Sequence, residues 1–500
     1  MRRTLTLVAF TVLSLVAFQA CNEDAFTNDS SDKITVSTDT LSFDTIFSQV
    51  GSVTKRFKIY NPHNKSIKLS QVYLSRGQQS NFRISLNGLN GKTFSNYTIL
   101  PKDSLYVFVE VTIDPSGENL PMVIYDDVVF EYNGTSTSVI LEAFGQDVHL
   151  IKGEFIETET WTSDKPYLIY YGVAVDSLHT LTIEAGTKIH FHNQSSLIVF
   201  GTLKVNGTLQ EPVVFEGDRF DRGYGETAGR WGTIFIGNKS TGNEINYAII
   251  KNATAGFQVG EPREDESVPT LLLNNTYITN TTLASIVAYG AEIEAYNSVF
   301  SDSQIHGLVL IMGGKYNFYH STMSIIGALK VDRGNVSYTR NGDAFRQKYA
   351  LVLSNYQPYY TLNDYFMVEK VDRYSDLVEA NFYNSIIYGS QKSEFIADTN
   401  TLAAFNFYFD HCILKQEEDS LDISDEIFYN NLWLNEYPRF VNDSAIDGEL
   451  DYRLDTLSPA KDSADVAIVN RHIEYLEFDY DGNSRLIDGM PDLGAFERQE

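Results

Sequence analysis

The chain has 500 residues, 43% hydrophobic and 13% aromatic, with a formal net charge of −28. So acidic a surface repels phosphate backbones and anionic headgroups, which argues against nucleic acid and polyanionic substrates as partners. Two cysteines in this length exclude a disulfide-built fold. The sequence carries no EF-hand loop, nonapeptide calcium repeat, phosphate-binding loop, nucleophile elbow or HExxH pattern, so we expect neither metal nor cofactor.

Residues 1–20 read as a signal peptide. Arg2 and Arg3 precede the apolar run Leu5–Ala17, which is too short for a comfortable membrane span. The run stops at Phe18-Gln19-Ala20-Cys21, which resembles a bacterial lipobox. That resemblance implies lipidation of Cys21 and attachment to the membrane through this lipid only. Residues 21–33 are a short acidic tether that cannot bury a core. Acidic residues directly after the lipidated cysteine resemble the surface-export signals of Bacteroidota lipoproteins, which implies an outer-membrane protein facing the cell exterior. The other cysteine, Cys412, reads as a small buried residue.

Residues 34–148 carry the period-2 alternation of half-buried strands at Ile34–Ser37, Leu41–Phe43, Arg56–Tyr60, Ile67–Leu69, Leu105–Val111, Asp127–Phe130 and Ser138–Leu141. Turns such as Asn61-Pro62 and Asn133-Gly134 separate them. About seven strands in such a length predict a β-sandwich. The phrases at Leu41–Phe47, Phe57–Val72, Leu100–Pro115 and Val139–Gly145 resemble the immunoglobulin-like domains of the Hydin-related type. This resemblance implies a spacer or adhesion module.

From residue 149 to 435 the texture is that of a solenoid. Leu181–Phe191, Gly201–Thr208, Pro212–Phe215 and Gly229–Phe235 alternate short strand runs with glycine turns. A phrase then recurs at Asn246–Ile249, Asn275–Ile278, Asn297–Phe300, His320–Met323, Asn384–Ile387 and His411–Leu414, with tightest spacings of 22 and 23 residues. That spacing is about one coil of a parallel β-helix. Stacked coils should align Ile249, Ile278, Phe300, Met323, Ile387 and Leu414 as one interior ladder. The Asn or His three places earlier should turn a corner and bond backbone of neighbouring coils. The opening phrases resemble bacterial right-handed parallel β-helix proteins. The series Phe440, Asp451–Leu454, Ser458–Asp462, Asp479–Gly482, Arg485 and Asp492–Glu497 resembles their terminal segment. Residues 436–500 are therefore expected to cap the open end of the solenoid.

Two insertions break the period, a charged one at 261–266 and a longer one between His320 and Asn384. The longer one holds Tyr356, Tyr359, Tyr360, Tyr365 and Phe366, the candidate binding residues, since solenoids often present ligands or partners with such excursions. The stretch Asp218-Arg219-Phe220-Asp221-Arg222-Gly223-Tyr224-Gly225-Glu226 is the richest in catalytic residue types, yet it reads as an ordinary solvated loop before the Gly229–Gly232 coil, and no catalytic residue is expected. His190 and His192 share one face of a strand and are expected to pack or face solvent. Asp followed by Ser or Thr and an apolar residue, at Thr40, Thr45, Ser104, Ser177, Ser420, Ser444, Thr456 and Ser463, resembles the O-glycosylation signal of Bacteroidota envelope proteins. The functional expectation is a non-catalytic surface module, a scaffold for an outer-membrane protein partner or a binder of neutral glycan. The alternative is a polysaccharide lyase or glycoside hydrolase, which would need clustered bases or carboxylates on one face.

Overall fold

The computed structural model describes residues 25–117, 122–220, 225, 227–262, 267–326, 348–362, 368–417, 424–443, 450–487 and 489–499, with side chains of 359–371 excepted. Cys21, Tyr365, Phe366, Ser420, Ser444, Asp221, Arg222 and Glu226 lie outside the described residues. The chain is all-β and divides after Val148 into two compact units.

In the first unit, two five-stranded sheets share a core. Ile59 and Val107 of one sheet and Val72, Phe130 and Leu141 of the other are fully buried, as alternation along each strand requires. The strand Thr40–Phe47 runs parallel to Thr135–Gln146, whereas the other paired strands in this unit are antiparallel.

The second unit is built on a 26-stranded sheet in which each strand pairs in parallel with its counterpart one coil later. That pattern is a β-helix-like solenoid with three faces. The first face carries Lys188–Phe191, Val213–Gly217, Ala248–Lys251, Tyr277–Thr279, Val299–Ser301, Thr322–Ser324 and Ile386–Tyr388. The second carries Leu197–Val199, Ile234–Ile236, Ala255–Val259, Ala284–Tyr289, His306–Ile311, Tyr349–Ser354 and Phe395–Asp398. The third includes Thr202–Asn206, Asn243–Asn246, Thr270–Asn274, Glu292–Tyr296, Gly314–Tyr319 and Leu377–Tyr383.

The interior ladder on the first face runs Phe215, Ile250, Ile278, Phe300, Met323, Ile387 and Leu414, rung to rung. One expected rung is thus corrected: Ile249 pairs with Tyr277 and stays half-buried, while Ile250 is fully buried. The corner explains the slip. Tyr247, Asn275, Asn297, His320, Asn384 and His411 occupy it at φ between +44° and +51°. The first copy places a tyrosine, not its asparagine, in the left-handed turn. Side-chain identity aligned Asn246 with Asn275, but Asn246 pairs with Asn274. Aromatic rungs stack inside the coils, with Phe318, Phe382 and Phe409 at centroid spacings of 5.3 and 4.9 Å.

The C-terminal segment lies elsewhere than expected. Its described residues fold back along the side of the solenoid over the first face rather than across its end. Tyr452 donates to Asp302 at 2.6 Å, the Gly494 amide donates to the Asn384 carbonyl at 2.8 Å, and Tyr480 packs on Tyr277 and Tyr247. Two of the corner asparagines serve this segment. Asn297 Nδ2 donates to the Tyr475 and Phe478 carbonyls, both at 2.9 Å, and Asn384 Nδ2 donates to the Asp465 carbonyl at 3.0 Å. The outward residues Val299, Ile386 and Ile413 are apolar and fully buried against Leu493, Ala495 and Phe496. Strands apolar on both faces need a cover on both faces, and the tail supplies it.

Fixing the tail is a buried charge cluster. Arg485 Nη2 donates to Asn297 Oδ1 at 2.9 Å and to the Gly494 carbonyl at 3.0 Å, and Nη1 donates to Glu497 Oε2 at 3.2 Å. Asp479 and Asp492 stand close to the same guanidinium. Burial pushes all three carboxyls up, Glu497 to about 8.

Candidate functional site

The three faces differ in what they show to solvent. The later coils of the first, from Tyr277 to Ile413, are covered by the tail. The third is polar along part of its width, with Lys204 and Glu244 paired at 2.6 Å, Lys315 between Glu292 and Glu379, and Asn381 donating to Asn317 at 2.9 Å, while its outward Leu272, Tyr296, Tyr319 and Tyr383 pack against Ile468, Val469 and Leu476 of the tail. The second carries an outward apolar row, Ile198, Phe235, Val287, Val309, Val352 and Ile396, interrupted by Gln258. Most of that row is only half-buried, and Phe155 and Phe200 beside its first rungs are 73% and 40% exposed.

The aromatic insertion rises where the second face turns into the third. It is an antiparallel hairpin of Tyr356–Leu362 with Val368–Tyr374. Tyr356 is half-buried and its hydroxyl donates to Asp398 at 2.9 Å, so this tyrosine roots the hairpin. Arg373 donates to the Pro262 carbonyl at 3.3 Å. Tyr359 and Tyr360 lie on the first hairpin strand.

A group of chemically competent, partly exposed side chains stands on the outer side of the first face, in its earliest coils. There Tyr170, His192 and Asp218 fall in one outward column, because the neighbouring positions Ile169, Phe191 and Gly217 face inward. The Tyr170 and His192 rings stack at 3.9 Å with planes 3° apart. His192 Nδ1 lies 2.7 Å from Asp218 Oδ2, so the carboxylate selects the tautomer with its proton on Nδ1 and orients the ring. Asp218 is pushed up by burial against the opposing pull of His192, and Tyr170 is pushed up to about 12 by burial and by Asp218. In the adjacent column His190 Nδ1 lies 3.5 Å from Glu216, whose other oxygen pairs with Lys251 at 2.7 Å. Burial holds His190 down to about 4, so it is neutral at physiological pH. His190 and His192 therefore have distinct settings despite sharing a face: one is buried and packs edge-on to Phe220 at 5.2 Å, the other is partly exposed and carboxylate-oriented.

Sequence reasoning singled out Asp218 and both histidines but missed Tyr170 and Tyr171, which the coil brings alongside them. The signal was present in the doubled Tyr170-Tyr171 ahead of Gly172, where a strand needs a left-handed turn. Of the candidate modification residues, Thr40, Thr45, Ser177 and Thr456 are exposed and Ser104 is half-buried. Ser463 is half-buried and its hydroxyl donates to the Pro459 and Lys461 carbonyls at 2.9 Å. Cys412 is buried, as expected of a lone core thiol.

No family model and no curated protein matches the chain. Among solved structures it is similar to a protein of unknown function from Porphyromonas gingivalis W83, at 14% identity over 25% of this chain and 50% of that one, with a TM-score of 0.18. A family 123 glycoside hydrolase from Clostridium perfringens aligns at 8% identity over 25% of this chain and 30% of that one, with a TM-score of 0.17. A GH87 α-1,3-glucanase from Streptomyces thermodiastaticus strain HF3-3 aligns at 9% identity over 76% of this chain and 88% of that one, with a TM-score of 0.16. The chain spans half or less of the first two, and likenesses this weak carry no argument about fold or activity.

Proposed function

We propose that the chain is a non-catalytic surface lipoprotein whose solenoid is a scaffold for another protein of an outer-membrane assembly. In this reading Cys21 carries the lipid, residues 34–148 are an immunoglobulin-like spacer, and the solenoid is a right-handed parallel β-helix held away from the membrane. The supporting observation is the outward apolar row of the second face. On the first face the same kind of row is sealed by the tail, whereas Phe235, Val309, Val352 and Ile396 stay half-buried. The row runs unbroken from Val287 through Val309 and Val352 to Ile396, and such an apolar stripe on a solvent face marks an interaction surface. Its test is a photoreactive residue at Val309, with one at Glu294 on the polar face as control, cross-linked in native outer membranes. A discrete adduct from position 309 and none from 294 is expected. Equal labelling from both, or none from 309, refutes the docking face.

The oriented His192–Asp218 pair favours a second reading, a glycan-degrading enzyme. Release of new reducing ends or unsaturated uronate from polysaccharide, abolished by His192→Ala, would establish it in place of the first.

A further inference from the structure

We propose that Tyr171, the Tyr170–His192 stack and Asp218 form a subsite for a neutral saccharide ring. Tyr171 turns the corner between the first and second faces at φ +64° and is 83% exposed. A bulky residue in the left-handed region is strained, and such outliers mark functional positions. The next coil has Asn193 in the same position at φ +45°, and Asn252, Asn280 and Asp302 turn this corner further along at φ +66°, +54° and +55°. Those are the residue types that tolerate the turn. At the opposite corner Tyr247 is also left-handed, but there the ring packs on Tyr480 of the tail. Among the described residues the ring of Tyr171 meets one other ring, the edge of Tyr170 at 6.1 Å, and its Cβ passes Gly153 of the preceding coil. A strained, solvent-facing ring without packing gain is explained by a ligand that stacks on it.

The neighbours set the ligand chemistry. An exposed tyrosine face offers a flat apolar platform at low entropy cost, suited to the C–H face of a sugar. His192 is 43% exposed and fixed by Asp218, so its ring presents an oriented polar edge to a hydroxyl. Asp218 brings negative charge, Lys152 one coil before Tyr170 and Arg219 beside Asp218 bring positive charge, and the ammonium of Lys251 is held by Glu216, so the charges at the site nearly balance and suit a neutral ring.

The subsite is separate from the docking face, and the test tells them apart. Native gels containing xyloglucan, β-glucan, laminarin or mannan, with polygalacturonate as the anionic control, would be run with wild type, Tyr171→Asn and Asp218→Asn. At least one neutral polysaccharide should retard wild type, polygalacturonate should not, and both variants should bind at least tenfold more weakly. Tyr171→Asn should melt at the same or a higher temperature, since asparagine suits this turn. Retardation of Tyr171→Asn equal to wild type, or no retardation of wild type by any neutral polysaccharide, overturns the subsite. Either result leaves the Val309 cross-link to decide the docking reading.

Discussion

Replacing Arg485 by Met tests whether the tail is pinned by charge or by packing. Arg485 is fully buried, and its guanidinium serves Glu497, Asn297 and the Gly494 carbonyl. Methionine keeps most of the apolar stem but leaves the carboxylates of Asp479 and Asp492 without a cation, and Glu497 and Asn297 without their donor. Removing one partner of a buried ion pair costs about 3–5 kcal/mol, because the remaining charge is uncompensated. Glu497→Gln should behave differently. Burial raises that carboxyl to about 8, so it already holds a proton near neutral pH, and a glutamine oxygen can accept the bonds now made by Arg485 and the Asp492 amide. We expect a loss under about 1 kcal/mol there. Urea unfolding gives the two stabilities. Amide exchange reports the tail itself, because the Gly494 and Ala495 amides bond Asn384 and Thr322 of the solenoid. At ~1.4 kcal/mol per tenfold, their protection should fall by roughly 100-fold or more in Arg485→Met. A loss under about 1 kcal/mol in Arg485→Met, or equal losses in the two variants, would show that apolar packing alone seats the tail.

Three further outcomes follow from the same geometry. Ile250→Ala should cost about 2–5 kcal/mol and Ile249→Ala under about 1, measured by urea unfolding; the reverse order would restore the register expected from the repeat phrase. Glu394 is fully buried, accepts the Ala350 and Gln391 amides, and is raised by burial from 4.5 to about 7. Between those pH values the folded state keeps a proton the unfolded state has lost, so this group's stabilisation is complete below 4.5 and falls as pH rises through 7, by roughly 3 kcal/mol at ~1.4 kcal/mol per pKa unit. The stability difference between wild type and Glu394→Gln should drift accordingly between pH 4.5 and 8, and a flat difference would mean the carboxyl is not perturbed. Finally, Cys21→Ser should abolish metabolic labelling with palmitate and release the protein from membranes; unchanged labelling would remove the anchor.

The sequence by itself determined the fold class and the existence of the solenoid. Short strands with a corner residue every coil have a one-dimensional solution, since each coil buries its apolar side only against the next. The corner of Asn297, His320 and Asn384 was legible because few side chains tolerate left-handed φ. What the corner side chains bond was not legible. They point out of the coil, so their partners came from a segment 81 to 188 residues further along the chain, and the paired apolar residues Val299-Phe300, Ile386-Ile387 and Ile413-Leu414 were the sign that this face is covered twice. Asp218 and His192 could be named from sequence, but their pairing depends on which rungs align across a coil of 26 residues. Only the tertiary structure decided that the tail lies along the side, and that Tyr171 stands at the same corner as Asn193 while facing solvent. Register and long-range cover are set by the summed packing of whole coils, and no local pattern encodes that sum.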